Sequence, residues 1–283
     1  VVNDRVEVAV NDPERMTYTA LPSALDRFRE IAGRLEHKRL ALFLDYDGTL
    51  TPIVERPELA VLSAAMRATV RKLAGLCTVA VISGRDLRDV QRLVGLEELF
   101  YAGSHGFDIQ GPASQRVENQ QDPGFLPLLD AAEQTLRERL APIPGSLVER
   151  KRFSITVHYR RVDEPQIPAV ETVVDDLMAA QPKLKKTYGK KMFELQPNID
   201  WHKGKAVHWL LQALALDRPD VLPVFIGDDI TDEDAFQALR EAGIGIVVSE
   251  DERPSAAHYR LHDPAEVERF FARLLALLEG KAQ

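Results

Sequence analysis

With 283 residues, 45% of them hydrophobic and 28% charged, the chain has ample apolar material for a core and suits one large domain or two modest ones. Its formal net charge of −8 sets it against nucleic acid and anionic lipid surfaces. A single cysteine, Cys77, excludes an internal disulfide framework, and there is neither an apolar stretch of bilayer length nor a basic-then-apolar leader. The expectation is a cytoplasmic, reducing compartment, with no membrane and no nucleic-acid partner.

Residues 1–20 carry no periodic pattern and are expected to form a mobile arm. The first decisive run is Leu40-Ala41-Leu42-Phe43-Leu44-Asp45-Tyr46-Asp47-Gly48, apolar at odd and even positions alike and ending in acids and a glycine. Such a run reads as a strand buried on both faces of a parallel sheet. Similar runs occupy 78–83, 99–104, 223–228 and 244–249, and helical stretches fill 58–76, 86–94, 204–216, 232–242 and 265–278. This alternation predicts an α/β fold: a doubly wound, mainly parallel sheet. Cys77 reads as a buried small hydrophobe, and Trp209, in an apolar helix, as core.

Between 111 and 197 the rhythm changes to helix (126–140), strand (147–149), strand (153–159), helix (168–180), then strands at 184–188 and 192–195. Two antiparallel pairs, each preceded by a helix, predict a smaller α+β cap at 111–197. It would be inserted into a core made of 1–110 and 198–283. Gly111-Pro112 and Pro197-Asn198 supply turn signals at its edges.

Ligands of open α/β sheets collect at the carboxyl ends of the strands. Here those ends carry Asp45, Asp47, Ser83, Asp228, Asp229 and Asp232. Clustered carboxylates repel one another, and a divalent cation removes that cost. Oxygen donors without nearby Cys or His pairs favour Mg²⁺ over zinc.

Asp45-Tyr46-Asp47-Gly48-Thr49-Leu50, following a buried strand, resembles the first motif of the haloacid dehalogenase superfamily. Ser83-Gly84-Arg85 resembles the second, Lys203 in Lys203-Gly204-Lys205-Ala206 the third, and Gly227-Asp228-Asp229-x-x-Asp232 the fourth, in the required order. The resemblance implies that Asp45 attacks phosphorus and forms an aspartyl-phosphate. It makes Asp47 first the acid for the leaving oxygen and then the base for water. Mg²⁺ would be held by the Asp45 side chain, the Asp47 carbonyl and Asp228, with Asp229 and Asp232 as outer-shell support or ligands of a coordinated water. Ser83 and Lys203 would bind the phosphoryl oxygens, assisted by backbone N–H groups of the Asp47-Gly48 turn, with Gly84 and Arg85 also counted as substrate contacts. Lys205 competes with Lys203, which motif position favours.

Three further segments narrow the resemblance to trehalose-6-phosphate phosphatases, over about residues 40–248. They are Tyr101-Ala102-Gly103-Ser104-His105-Gly106, then Glu149-Arg150-Lys151 with Val157-His158-Tyr159-Arg160, then Gly189-Lys190-Lys191-Met192-Phe193-Glu194. The implied reaction is hydrolysis of trehalose 6-phosphate, with a functional link to the synthase that makes it. A carboxylate accepting two sugar hydroxyls selects by direction, so Glu149 and Glu194 are assigned to the distal sugar. Lys151, Arg160 and Lys190 add donors as the cap closes. His105 either lines the cleft or packs as a satisfied core histidine, and Trp201 reads as packing. Hinges are expected near Gly111-Pro112 and Gln196-Pro197-Asn198. Gln196 departs from the family, which usually shows Arg there. That leaves another glycosyl phosphate as an alternative substrate, and a non-catalytic sugar-phosphate-binding module as an alternative of a different class.

Overall fold

The computed structural model describes residues 16–17, 20–54, 56–112, 124–189, 191–250 and 253–281. In chain order the elements are β1 (Met16–Thr17), α1 (Phe28–Arg34), β2 (Arg39–Leu44), α2 (Ala64–Ala74), β3 (Thr78–Ile82), α3 (Leu87–Val94), β4 (Phe100–Gly103), β5 (Asp108–Gln110), α4 (Phe125–Leu140), β6 (Leu147–Arg150), β7 (Ile155–His158), α5 (Ile167–Ala180), β8 (Leu184–Gly189), β9 (Met192–Pro197), α6 (Lys203–Ala213), β10 (Val221–Gly227), α7 (Glu233–Ala238), β11 (Ile244–Val248), β12 (Pro254–Ser255), β13 (Tyr259–Leu261) and α8 (Pro264–Lys281).

β2 lies at the middle of a seven-stranded sheet ordered β13-β11-β10-β2-β3-β4-β5. All neighbours are parallel except β4 and β5. Strand alternation sends Leu40, Leu42 and Leu44 into one core, with α2, α3 and α8, and Ala41 and Phe43 into another, with α6 and α7. This two-sided burial explains the unbroken apolar run. Capping sets the helix starts: Ser63 accepts from the Met66 N–H before α2, and Asp86 from the Arg88 N–H before α3. The chain runs outward from β2 through β3 and β4, then returns to β10 on the other side of β2. A crevice therefore opens between the tips of β2 and β10.

A separate antiparallel sheet has the order β6-β7-β9-β8. The two anticipated strand pairs join into this one sheet through β7 and β9. Its core packs Val157, Phe193 and Leu195 beneath Leu129 and Leu136 of α4 and Val174 of α5. On the opposite face the register aligns Glu149, Thr156, Glu194 and Thr187 in a row across all four strands. Phe153 stacks on Phe107 (centroids 6.0 Å apart), and Arg152 pairs with Asp108, so this sheet is fastened to the larger one.

The structure corrects several sequence expectations. β9 extends through Pro197, with Gln196 opposite Lys185, so Gln196-Pro197 is strand and the connection is 198–202. The helix at 58–76 begins only at Ala64, after a 3₁₀ turn at Pro57–Leu59. Met16–Thr17 of the anticipated arm pair with β12, and residues 1–15 and 18–19 lie outside the described residues. Among the described residues no helix is long and apolar enough to cross a membrane.

Candidate active site

Asp45 leaves the tip of β2 with its N–H on the Ile226 carbonyl of β10 (2.9 Å) and is nearly buried. Beneath it the buried Tyr46 donates its hydroxyl to the Ala60 carbonyl (2.6 Å), anchoring the loop. Gly48 has φ +78°, and a Cβ there would lie 2.0 Å from Asp228 Oδ2. Only glycine lets the loops after β2 and β10 meet this closely. The Gly48 N–H is committed to the Thr51 carbonyl (2.8 Å). Of the Asp47-Gly48 turn expected to assist at the phosphate, the Gly48 N–H is thus already bonded within the loop.

Lys203, at the start of α6 and 2% exposed, donates from Nζ to Asp45 Oδ1 and to Asp232 Oδ1, each at 2.6 Å. Lys205 instead reaches the Asp200 carbonyl at the surface. The other oxygen of the fully buried Asp232 accepts the N–H groups of Asp228 (3.0 Å) and Asp229 (2.9 Å). Asp232 thus frames the loop through one oxygen and meets Lys203 with the other. Asp229, expected near the metal, is exposed and caps the following turn through Ile230 N–H (2.6 Å). It stands outside the acidic cluster because its carboxylate serves its own helix start.

Asp45, Asp228 and Asp232 each place a carboxylate oxygen within 4.8 Å of the others. Burial pushes the Asp45 carboxyl well above its usual range, against the opposing pull of Lys203. Burial, then Asp232 and Asp229, pushes Asp228 up to about 7. Three carboxylates crowded at the strand tips, with oxygen-only donors, fit a hard divalent cation. Asp45, Asp228 and Asp232 are the residues that could hold it.

Ser83, buried at the tip of β3, accepts the Arg85 N–H (3.2 Å). Arg85 grips Asp47 with a two-pronged contact, Nε to Oδ2 and Nη2 to Oδ1, both 2.6 Å. The Asp47 carboxylate is accordingly turned to Arg85 and is not part of the acidic cluster. Gly84 has no room for a side chain, since a Cβ would lie 2.7 Å from the His105 ring. Ser104 and His105 both adopt positive φ (49° and 57°), a conformation that non-glycine residues rarely take. The turn is held there by Ser104 N–H on the Arg85 carbonyl (2.7 Å) and His105 N–H on the Ser83 carbonyl (2.8 Å). Burial, followed by the Lys203 charge, lowers the His105 pKa to about 4, so the imidazole is neutral at pH 7.

Glu194 of β9 and Lys151, just after β6, also act electrostatically on His105. Glu194 Oε1 accepts from Lys151 Nζ (3.2 Å) and from Ser154 Oγ (2.9 Å). Burial alone would raise its carboxyl, but Lys151, Ser154 and His105 together hold it below the usual range. Glu149 is exposed and pairs with His158 Nε2 (2.7 Å). Arg160 lies exposed in the turn after β7, and Lys190 falls outside the described residues. Trp201 packs beside Phe107 as core. Sequence reading missed Ser154, although the period-two series Ser154, Thr156, His158 marks the same face as Glu194. It also missed Arg253, whose Nη2 donates to the Asp228 carbonyl (2.5 Å).

Residues 43–265 match the family model described as Trehalose-phosphatase. The chain belongs to the trehalose-phosphatase family. Trehalose-phosphate phosphatase B of Arabidopsis thaliana is 42% identical over 279 residues, which cover 95% of this chain and 75% of that relative. The crystal structure of a trehalose-6-phosphate phosphatase related protein superposes with a TM-score of 0.71 at 25% identity, over 86% of this chain and 99% of that one. A haloacid dehalogenase-like hydrolase from Bacteroides thetaiotaomicron, 18% identical, shares the fold with a TM-score of 0.61 over 84% of this chain and 99% of its own. As a trehalose-phosphatase family member the chain is a phosphatase, its α/β fold is of the haloacid dehalogenase type, and the family implies a divalent metal.

Proposed function

We propose that the chain hydrolyses trehalose 6-phosphate to trehalose and phosphate in two displacements, with Asp45 as nucleophile and Mg²⁺ as the ion. The observation that carries this reading is the buried Lys203 ammonium, 2.6 Å from both Asp45 and Asp232 and beside Asp228, at the crevice where strand order reverses. Asp45 attacks phosphorus while Asp47 gives a proton to the leaving sugar oxygen. Asp47 then takes a proton from the water that attacks the Asp45-phosphate, which restores both carboxyl groups. Lys203 orients the Asp45 oxygen and offsets phosphoryl charge, and the Ser83 hydroxyl faces the same oxygens. Asp45, Asp228 and the Asp47 carbonyl would hold Mg²⁺, which when bound screens the repulsion between the attacking carboxylate and the phosphoryl group.

Residues 111–197 act in this reading as the cap that selects the sugar, over a core of 1–110 and 198–283. Glu149 and Glu194 stand on strands two places apart, roughly 10 Å by strand spacing. That span suits two linked sugar rings. Gln196 lies opposite Lys185, which supplies positive charge at that corner of the face. A cytoplasmic setting and a functional link to a synthase that makes trehalose 6-phosphate belong to the same reading.

The test is phosphate release from trehalose 6-phosphate, glucose 6-phosphate and sucrose 6-phosphate, with Mg²⁺ or with chelator. We expect kcat/KM for trehalose 6-phosphate to lead by about 100-fold or more and activity to vanish on chelation. Equal turnover of the panel removes the substrate assignment, and indifference to chelation removes the ion. No release from any member favours the non-catalytic module.

A further inference from the structure

We propose that Arg85 is a positioning residue for Asp47 rather than a ligand of the substrate phosphate; this rests on the reading of Asp47 as proton donor. A guanidinium has five N–H donors. Four are engaged: Nε on Asp47 Oδ2 (2.6 Å), Nη2 on Asp47 Oδ1 (2.6 Å) and on the Pro57 carbonyl (2.9 Å), and Nη1 on Asp89 Oδ2 (2.9 Å). The Arg85 side chain is 11% exposed, against 41% for Asp47, so the arginine is the fixed member of the pair. It lies 5.5 Å over the Tyr46 ring, whose own hydroxyl is tied to Ala60. Binding phosphate through Arg85 would break contacts already made, with little room to form new ones.

Holding a carboxylate by both oxygens fixes its plane as well as its position. The fork occupies one lone pair on each Asp47 oxygen and leaves the second for the reaction. As Asp45 bonds to phosphorus and the P–O bond to the sugar breaks, the proton on Asp47 passes to the leaving oxygen and the alcohol departs neutral. Without the fork Asp47 would sample several rotamers at the rim of the cleft, and misplacement of a proton donor by about 1 Å costs on the order of 100-fold.

The experiment compares kcat/KM, which reports steps up to release of the alcohol, for trehalose 6-phosphate and p-nitrophenyl phosphate. The nitrophenolate leaves without needing a proton. Arg85→Lys keeps the charge and loses the fork. We expect it to lower kcat/KM for trehalose 6-phosphate by about 10- to 100-fold and for p-nitrophenyl phosphate by less than about threefold. The inhibition constant of inorganic phosphate should stay unchanged. In an Asp47→Asn background the same substitution should have almost no further effect. A weakened phosphate inhibition constant, equal losses on both substrates, or additivity with Asp47→Asn overturns the proposal. If Arg85→Lys does not fold, Asp89→Asn, which releases only the far anchor, should give the same split at smaller size, and an even loss there overturns it too. A wild type that ignores trehalose 6-phosphate defeats the substrate reading alone, since glycerol phosphate against p-nitrophenyl phosphate still decides the role of Arg85.

Discussion

In the core cleft Lys203, Asp45 and Asp232 have side chains 2%, 7% and 0% exposed and are bonded to one another, whereas Glu149 and His158 on the cap face pair at 51% and 34% exposure. Removing one member of a buried trio leaves a charge with no solvent to receive it, which destabilises by several kcal/mol. An exposed pair contributes less than about 1 kcal/mol, because water competes for both partners. Chemistry and fold are therefore inseparable in the core, while on the cap a side chain can change with the sheet intact. Under the proposed function, that division would let sugar recognition vary over an unchanging phosphoryl-transfer site.

The largest expected effect belongs to Asp45, the proposed nucleophile. Asp45→Asn should lower phosphate release on the order of 10⁴-fold or more, measured by single-turnover release from trehalose 6-phosphate; appreciable residual turnover would place the attack elsewhere. Next, Lys203→Met should lose roughly 3–5 kcal/mol in denaturant unfolding, and adding Asp232→Asn should recover part of it. A loss below 1 kcal/mol for the single variant would show that the trio is not coupled as the geometry requires.

On the cap, Glu149→Gln should raise KM for trehalose 6-phosphate about 10- to 100-fold with stability nearly unchanged, since the Glu149 side chain is exposed. Turnover of p-nitrophenyl phosphate should remain as it was. If both substrates suffer alike, the core and the cap are not separable in this way.

The smallest effect is in pH. The His105 pKa falls from 6.5 in the unfolded chain to about 4 in the folded one, through burial first and Lys203 second. The unfolded state thus binds the extra proton, and stability present above pH 6.5 is lost as pH falls toward 4. Between pH 6.5 and 5 this amounts to about 2 kcal/mol. His105→Asn, a residue that tolerates positive φ, should flatten that slope in thermal unfolding followed across pH. An unchanged slope would assign the acid sensitivity to other groups.

The lysine-rich segment shows where sequence alone misleads. By composition Lys183 to Lys191 is a charge run, and charge runs are usually solvated faces. Yet the Lys186 side chain is 9% exposed, pairs with Glu171 and Asp175 of α5, and lies 4.4 Å over the Phe193 ring. Local composition carries no record of the helix that covers it. β5 and β13 escaped notice for a related reason: at three residues each they are too short to show a period.

From the amino-acid order alone came the parallel core, because strands buried on both faces must be apolar throughout, and the acids at the strand tips, because chemistry demands those side chains in that sequence. What needed the tertiary structure was the work of each polar group once loops from distant segments had met. Gly48 makes room for Asp228, Asp232 braces the backbone of its own loop, and Arg85 faces Asp47. Those roles depend on distances of a few ångströms between residues far apart in the chain, and no local pattern encodes them.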